Sequence, residues 1–304
     1  MYTLELNNVH KAYGKFVAVD SLSFNIEQGT MFGLLGPNGA GKTSTIRMMI
    51  GITMPDTGQV RMFGQPFERG LLKRVGYLPE ERGLYPKMNV LEQLIFMGEL
   101  HGLSAGQAKE RAMYWGRRLE IIDAYAKKTQ ELSKGMQQKI QFIATLLHDP
   151  ELIIMDEPFA GLDPGNSKLL QDVLLDLRNQ GKTILFSTHR MDQVEKLCNN
   201  ICLVNKGKVV LHGDLREIKS RYGRNTVQVA FDGSPNGDSD YLSQLPDVKS
   251  LECYEGYIQL KLSQGADAQQ LLQAVSQRSR LSRFEVMEPS LEDIFIEVVG
   301  KTDA

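Results

Sequence analysis

Cysteine is scarce: the 304 residues hold three, Cys198, Cys202 and Cys253. The odd count and the absence of a C-x-x-C pair exclude a disulfide framework and leave no standard zinc site. Cys198 and Cys202 stand four apart, but no further Cys or His lies at ligand spacing, so the cysteines read as buried, inert thiols. Charge of one sign is lacking as well. A net charge of -2 offers no basic footprint for nucleic acid. No apolar run approaches the roughly 18 residues that span a bilayer. The start, "MYTLELNNVHK", has no basic stretch followed by an apolar core, so no signal peptide is expected. Internal repeats and low-complexity segments are missing too. What remains is expected in the cytoplasm, as two domains or one large domain with an appendage. Any membrane contact would go through a partner.

Short apolar runs alternate with helical patterns through about residue 215, the mark of an α/β domain with a largely parallel sheet. "TMFGLLG", "ELIIMDEP" and "KTILFSTH" are continuous runs that suit strands buried on both faces. "VLEQLIFMGELHG", "QQKIQFIATLLHDP" and "NSKLLQDVLLDLRNQG" are helical stretches that stop at Gly or Asp-Pro. Past about residue 220 the character changes. "TVQVAF" reads as a strand, followed by a loop rich in Gly, Ser, Pro and Asp and a short helix at "DYLSQLP". "VKSLECYEGYIQLKL" reads as two strands around a turn at Glu255 and Gly256. A helix at "DAQQLLQAVSQRS", a strand at "LSRFEVME" and a last helix at "PSLEDIFIEVVG" complete the chain. The order β-α-β-β-α-β is that of a small ferredoxin-like unit.

"GPNGAGKT", Gly36 to Thr43, fits G-x-x-x-x-G-K-T between an apolar strand and the helix "KTSTIRMMIG". Glycines let the backbone wrap closely round phosphates, and successive N–H groups at a helix N-terminus face the anion. The candidate nucleotide contacts are thus Gly36, Pro37, Asn38, Gly39, Ala40, Gly41, Lys42, Thr43 and Ser44. Lys42 would serve the β- and γ-phosphates and the Thr43 hydroxyl would ligate Mg²⁺. "LIIMDEP" sets Asp156 at the end of a buried strand with Glu157 next to it. Asp156 is a candidate Mg²⁺ residue, and Glu157 a candidate to orient or deprotonate the attacking water. "FSTHR" ends another strand, from which His189 can reach a γ-phosphate. A lone His in that setting is more often structural, but its place in the order of motifs favours the catalytic role.

The order P-loop, "ELSKGMQQK", "LIIMDEP", "AGLD", "FSTHR" resembles the nucleotide-binding subunit of an ATP-binding cassette (ABC) transporter, over about residues 1–215. The resemblance implies an α/β P-loop NTPase cassette over 1–218, with a mostly parallel core sheet, an antiparallel β subdomain and a helical subdomain at about 83–150. It also implies a C-terminal α+β accessory domain over 222–300. "LSKGM" stands at the signature motif, where Ser133 and Gly135 would meet the γ-phosphate held by another subunit. Lys134 replaces a glycine there, and Met136 a glutamine. Ser133 also reads as the N-cap of a helix starting at Lys134 or Gly135. Asp163 stands at the loop that crosses to the partner, His189 at the switch histidine, and Tyr13 at the aromatic that stacks on adenine. Glu80 in "VGYLPEERGLYP" stands where a glutamine is usual. Its carboxylate can ligate Mg²⁺ but, when ionised, cannot donate a hydrogen bond.

The resemblance further implies ATP and Mg²⁺ as cofactors and a head-to-tail dimer, with a second copy or with a paralogous ATPase subunit. "LSKGMQQK", "YLPEERGLYP" and the tail "PSLEDIFIEVVG" look like the subgroup that pairs with integral membrane permeases of ABC-2 type, mostly exporters. Drug-resistance and sodium-efflux ATP-binding subunits belong to it. The chain is then expected on the inner face of the cell membrane, held there by the permease. Ribosome-acting relatives generally carry two cassettes in a chain, whereas this sequence has one P-loop. DNA-repair relatives insert a long coiled coil, and no sustained heptad run occurs here.

Overall fold

The computed structural model describes residues 1–81, 83–222, 226–232, 238–263 and 265–302. The chain divides between Gly213 and Asp214 into two units with separate cores. The division lies ahead of the boundary expected at 218.

The first unit opens with two long strands, β1 (Tyr2–Tyr13) and β2 (Phe16–Glu27), then β3 (Met31–Leu35) and α1 (Lys42–Met49). Next come β4 (Thr57–Met62), β5 (Gln65–Pro66) and β6 (Val75–Leu78). Three helices follow: α2 (Val90–Leu100), α3 (Ala105–Arg118) and α4 (Lys134–Leu146). β7 (Leu152–Asp156), α5 (Pro164–Asn179), β8 (Thr183–Thr188), α6 (Met191–Leu197), β9 (Asn200–Asn205) and β10 (Lys208–Asp214) complete it.

One sheet has the order β2-β1-β4-β5 and is antiparallel. The other runs β10-β9-β3-β8-β7-β6, with β9, β3, β8, β7 and β6 parallel. Every residue of β3, β7 and β8 is buried, as their unbroken apolar runs require. The two sheets share one core, in which Phe24 of β2 stacks on Phe32 of β3 with ring centroids 5.2 Å apart. Ile46, Met48 and Met49 of α1 enter the same core. α3 begins at a capping box: Ser104 accepts from the Gln107 amide, and the Gln107 side chain returns to the Ser104 N–H.

The second unit contains α7 (Leu215–Arg221), β11 (Thr226–Phe231), α8 (Asp238–Ser243), β12 (Val248–Tyr254), β13 (Tyr257–Leu262), α9 (Ala268–Arg278), β14 (Leu281–Met287) and α10 (Leu291–Thr302). Its antiparallel sheet has the order β12-β13-β11-β14, the ferredoxin-like arrangement read from the element order. Val227, Val229, Ile258 and Leu260 alternate onto one face, with Leu271 and Val275 of α9 in the same core. The polar loop expected after β11 falls mostly outside the described residues.

One expectation needs correction. Cys198 and Cys202 are buried, and burial pushes both thiols up, but Cys253 is exposed. It sits on β12, an edge strand with no fully buried residue.

Candidate nucleotide site

Four neighbouring strands of the parallel sheet end at one edge, and each delivers part of the site. β3 leads into Gly36, β8 into His189, β7 into Glu157 and β6, after Pro79, into Glu80. In open α/β sheets this carboxyl edge is where ligands bind.

The loop after β3 is shaped by its glycines. Gly36 has φ 152°, and a Cβ there would fall 2.2 Å from the Val204 carbonyl oxygen. Gly41 has φ 106°, with the Ala18 carbonyl 2.4 Å from a Cβ. Neither position accepts a side chain, because backbone from other strands closes on both. Lys42 opens α1 and is buried. Its ammonium donates to the Gly36 carbonyl at 2.7 Å and the Pro37 carbonyl at 3.2 Å. Burial lowers its pKa; the charges of Glu157, Asp156 and Glu80 work against that shift.

Asp156 is almost wholly buried. Its Oδ1 accepts from the Ser187 hydroxyl, while Oδ2 has no hydrogen-bond partner. Glu157 has φ 48°, a left-handed conformation that strains a residue with a side chain. The strain is held by the end of β8. Glu157 Oε2 accepts from the Thr188 hydroxyl at 3.1 Å; Oε1 accepts from the His189 N–H at 3.1 Å and lies 2.8 Å from His189 Nδ1.

A pocket of about 340 Å³ gathers these groups. Residues 38–44, Glu80, Asp156 and Glu157 line it, together with Ala18 and Phe16. Gly36 and Pro37 stay behind the loop as acceptors for Lys42. His189 reaches the pocket through Glu157. The orphan Asp156 oxygen, the Glu80 carboxylate and the Thr43 hydroxyl are hard oxygen donors, a set that fits Mg²⁺.

Besides Gly36, Pro37 and His189, four further sequence candidates do not line this pocket. Tyr13 is exposed under the Lys11 ammonium, 5.7 Å from its ring centroid. Its cross-strand partner Phe16 lines the pocket instead. Ser133 caps α4 by accepting from the Met136 amide at 3.3 Å, and the helix begins at Lys134. Gly135 lies in that first turn, where a Cβ would come 3.5 Å from the Leu162 side chain. Asp163 caps α5 by accepting from the Asn166 amide at 3.0 Å, and those bonds lower its pKa. α4 is tied to the segment after Glu157 by the Gln138 amide, which donates to the Pro158 carbonyl at 3.1 Å.

The sequence reading missed Phe16, Ser187 and Thr188. The signal for the last two lies in "FSTHR": hydroxyls closing an apolar strand have no reason to be buried unless polar groups await them.

Comparison with known proteins agrees with this geometry. Residues 19–160 match the ABC transporter family. Residues 213–299 match the DrrA1-3-like ATP-binding protein C-terminal domain. The uncharacterised ABC transporter ATP-binding protein YhaQ of Bacillus subtilis (strain 168) is 42% identical over 98% of both chains. The linearmycin resistance ATP-binding protein LnrL of the same organism is 33% identical, over 98% of this chain and 99% of that one. The Nod factor export ATP-binding protein I of Paraburkholderia xenovorans (strain LB400) is 35% identical, over 98% and 97%. A solved ATP-binding subunit of an ABC transporter superposes with TM-score 0.68 at 29% identity, covering 73% of this chain and 93% of that one. With a P-loop and a carboxylate pair on one pocket and relatives matching end to end, the chain belongs to the ABC transporter ATP-binding proteins and is an ATP-hydrolysing transporter subunit.

Proposed function

We propose that this subunit powers export through a separate integral membrane permease of ABC-2 type, working as a head-to-tail dimer. The observation that carries the reading is the full-length likeness to a resistance and an export ATP-binding protein, including the DrrA-like C-terminal domain. No helix among the described residues is long and apolar enough to cross a membrane; the reading assigns the transport path to the permease.

In the site, residues 38–44 cradle the phosphates with backbone N–H groups and the N-terminus of α1. Lys42 leaves the two loop carbonyls for the β- and γ-phosphates, which offer a stronger counter-charge. Thr43, Asp156 and Glu80 would hold Mg²⁺, which would supply positive charge against the charge developing on the phosphates. Glu157 takes the proton of the attacking water, oriented by Thr188 and His189. Tyr13 and Phe16 share one face of the β1–β2 hairpin and form the wall for the base. Ser133, Gly135 and Asp163 act on the nucleotide of the partner subunit, so ATP favours the closed pair, where both sets of contacts exist.

Affinity isolation of the intact subunit from its own membranes tests the reading. Recovery of a polytopic membrane protein is expected. Recovery with ribosomes or DNA would overturn it.

A further inference from the structure

We propose that Ser187 is a positioning residue for ATP hydrolysis. Its hydroxyl fixes the Asp156 carboxylate so that one oxygen is held and the other is presented to the metal. The proposal rests on the assignment of Asp156 to Mg²⁺ made above.

The arrangement begins with register. β7 and β8 are parallel neighbours, and Asp156 and Ser187 are direct partners across them. Adjacent strands lie about 4.8 Å apart, and paired residues point to the same face. Ser187 is therefore brought against Asp156 by the sheet itself. It is fully buried at the end of a strand, "TILFST", whose middle is apolar. A buried hydroxyl without a partner is costly. This one donates to Asp156 Oδ1, and its oxygen lies 3.4 Å from the Glu157 N–H as a weak acceptor. The Ser187 carbonyl accepts from the same N–H at 3.1 Å.

The consequence is a division of labour along three consecutive residues. Ser187 holds Asp156, whereas Thr188 and His189 hold Glu157. Asp156 is left with a single unpartnered oxygen, Oδ2. An anchored carboxylate loses little freedom when its remaining oxygen engages a cation. A carboxylate free to turn must first be ordered, and outer partners of this sort are typically worth roughly 10–100-fold in metal affinity. Alanine at 187 would leave both oxygens unpaired and the rotation about the Cβ–Cγ bond unrestrained.

The test uses the full chain, Mg²⁺ and a fluorescent, non-hydrolysable ATP analogue. The Mg²⁺ concentration that half-maximally strengthens analogue binding is measured, beside the affinity in excess chelator. In Ser187→Ala the half-saturating Mg²⁺ is expected to rise about tenfold, with the metal-free affinity unchanged. Asp156→Asn is expected to lose the Mg²⁺ effect, and adding Ser187→Ala to it should change nothing further, since Ser187 acts through Asp156. An unchanged Mg²⁺ requirement in Ser187→Ala beside a lost one in Asp156→Asn overturns the proposal. So does an additional loss in the double variant. An unchanged Mg²⁺ requirement in Asp156→Asn would instead sink the metal assignment on which the proposal rests. If Ser187→Ala fails to fold, Ser187→Cys replaces it: the similar volume is kept, the donor is weaker, and a rise in the same direction is expected.

Discussion

At the residue scale, Glu157 is the most constrained residue proposed for the chemistry. Its backbone is held left-handed and its carboxylate takes contacts from two residues of the neighbouring strand end. Replacing the carboxylate by an amide removes the group proposed to accept the water's proton and keeps the shape. Glu157→Gln is expected to lower phosphate release by about 10²–10⁴, the range of general-base assistance, while nucleotide still binds. Turnover comparable to the parent would reject the role. The aromatic wall gives a second prediction. Tyr13 is legible in the sequence only through its spacing ahead of the P-loop, and Phe16 is the ring that lines the pocket. Base stacking is worth roughly 1–3 kcal/mol per ring. Titration with a fluorescent ATP analogue should therefore show Phe16→Ala weakening binding about fivefold or more. An unaltered affinity would leave Tyr13 as the sole stacking ring.

At the scale of elements, the buried strands β3, β7 and β8 and helices α1, α2, α4 and α5 are legible because their patterns are unbroken and their stops are strong. β1 and β2 are not. Register shifts break their pairing at several places and Asn8 and Ser21 take positive φ, so the alternation that marks a strand is lost. The contacts that join elements are equally silent in sequence. His148, just past α4, accepts no such signal, yet its Nε2 lies 3.0 Å from the Val75 carbonyl of β6, and its ring stacks on His101, at the end of α2, with centroids 3.8 Å apart. Burial, and then His101, push its pKa down to about 4 from 6.5; the Val75 hydrogen bond raises it, Arg111 lowers it and Asp149 raises it. The folded state thus binds this proton less well than the unfolded chain. The sign follows: the contribution is complete above pH 6.5 and is lost as pH falls towards 4. Denaturant unfolding between pH 7 and 4 should show stability falling with pH, and falling less steeply in His148→Gln. Equal slopes would mean the pair carries no linkage.

At the scale of the whole molecule, the site is complete on one side only. The pocket has its phosphate loop, its carboxylates and the Phe16 ring, but none of Ser133, Gly135 and Asp163 lines it. Ser133 and Asp163 have a local reason to be where they are, since each caps a helix. Gly135 does not. It sits inside the first turn of α4 without a positive φ, and a Cβ there would meet the Leu162 side chain at an ordinary 3.5 Å. Glycine in a helix costs about 1 kcal/mol against alanine. If nothing within the chain asks for that cost, the demand comes from outside, from a phosphate approaching the helix N-terminus closely. Gly135→Asp separates the two explanations, because an acid in a first helical turn suits the helix dipole and should leave the fold intact. In a Glu157→Gln background, ATP is expected to drive the parent chain into a dimer seen by light scattering. With Gly135→Asp added, the dimer should be lost while the affinity of the monomer for ATP stays the same, since Gly135 lies off its own pocket. A dimer that persists, or a monomer that no longer binds ATP, would place the signature helix in some role other than closing the partner's site.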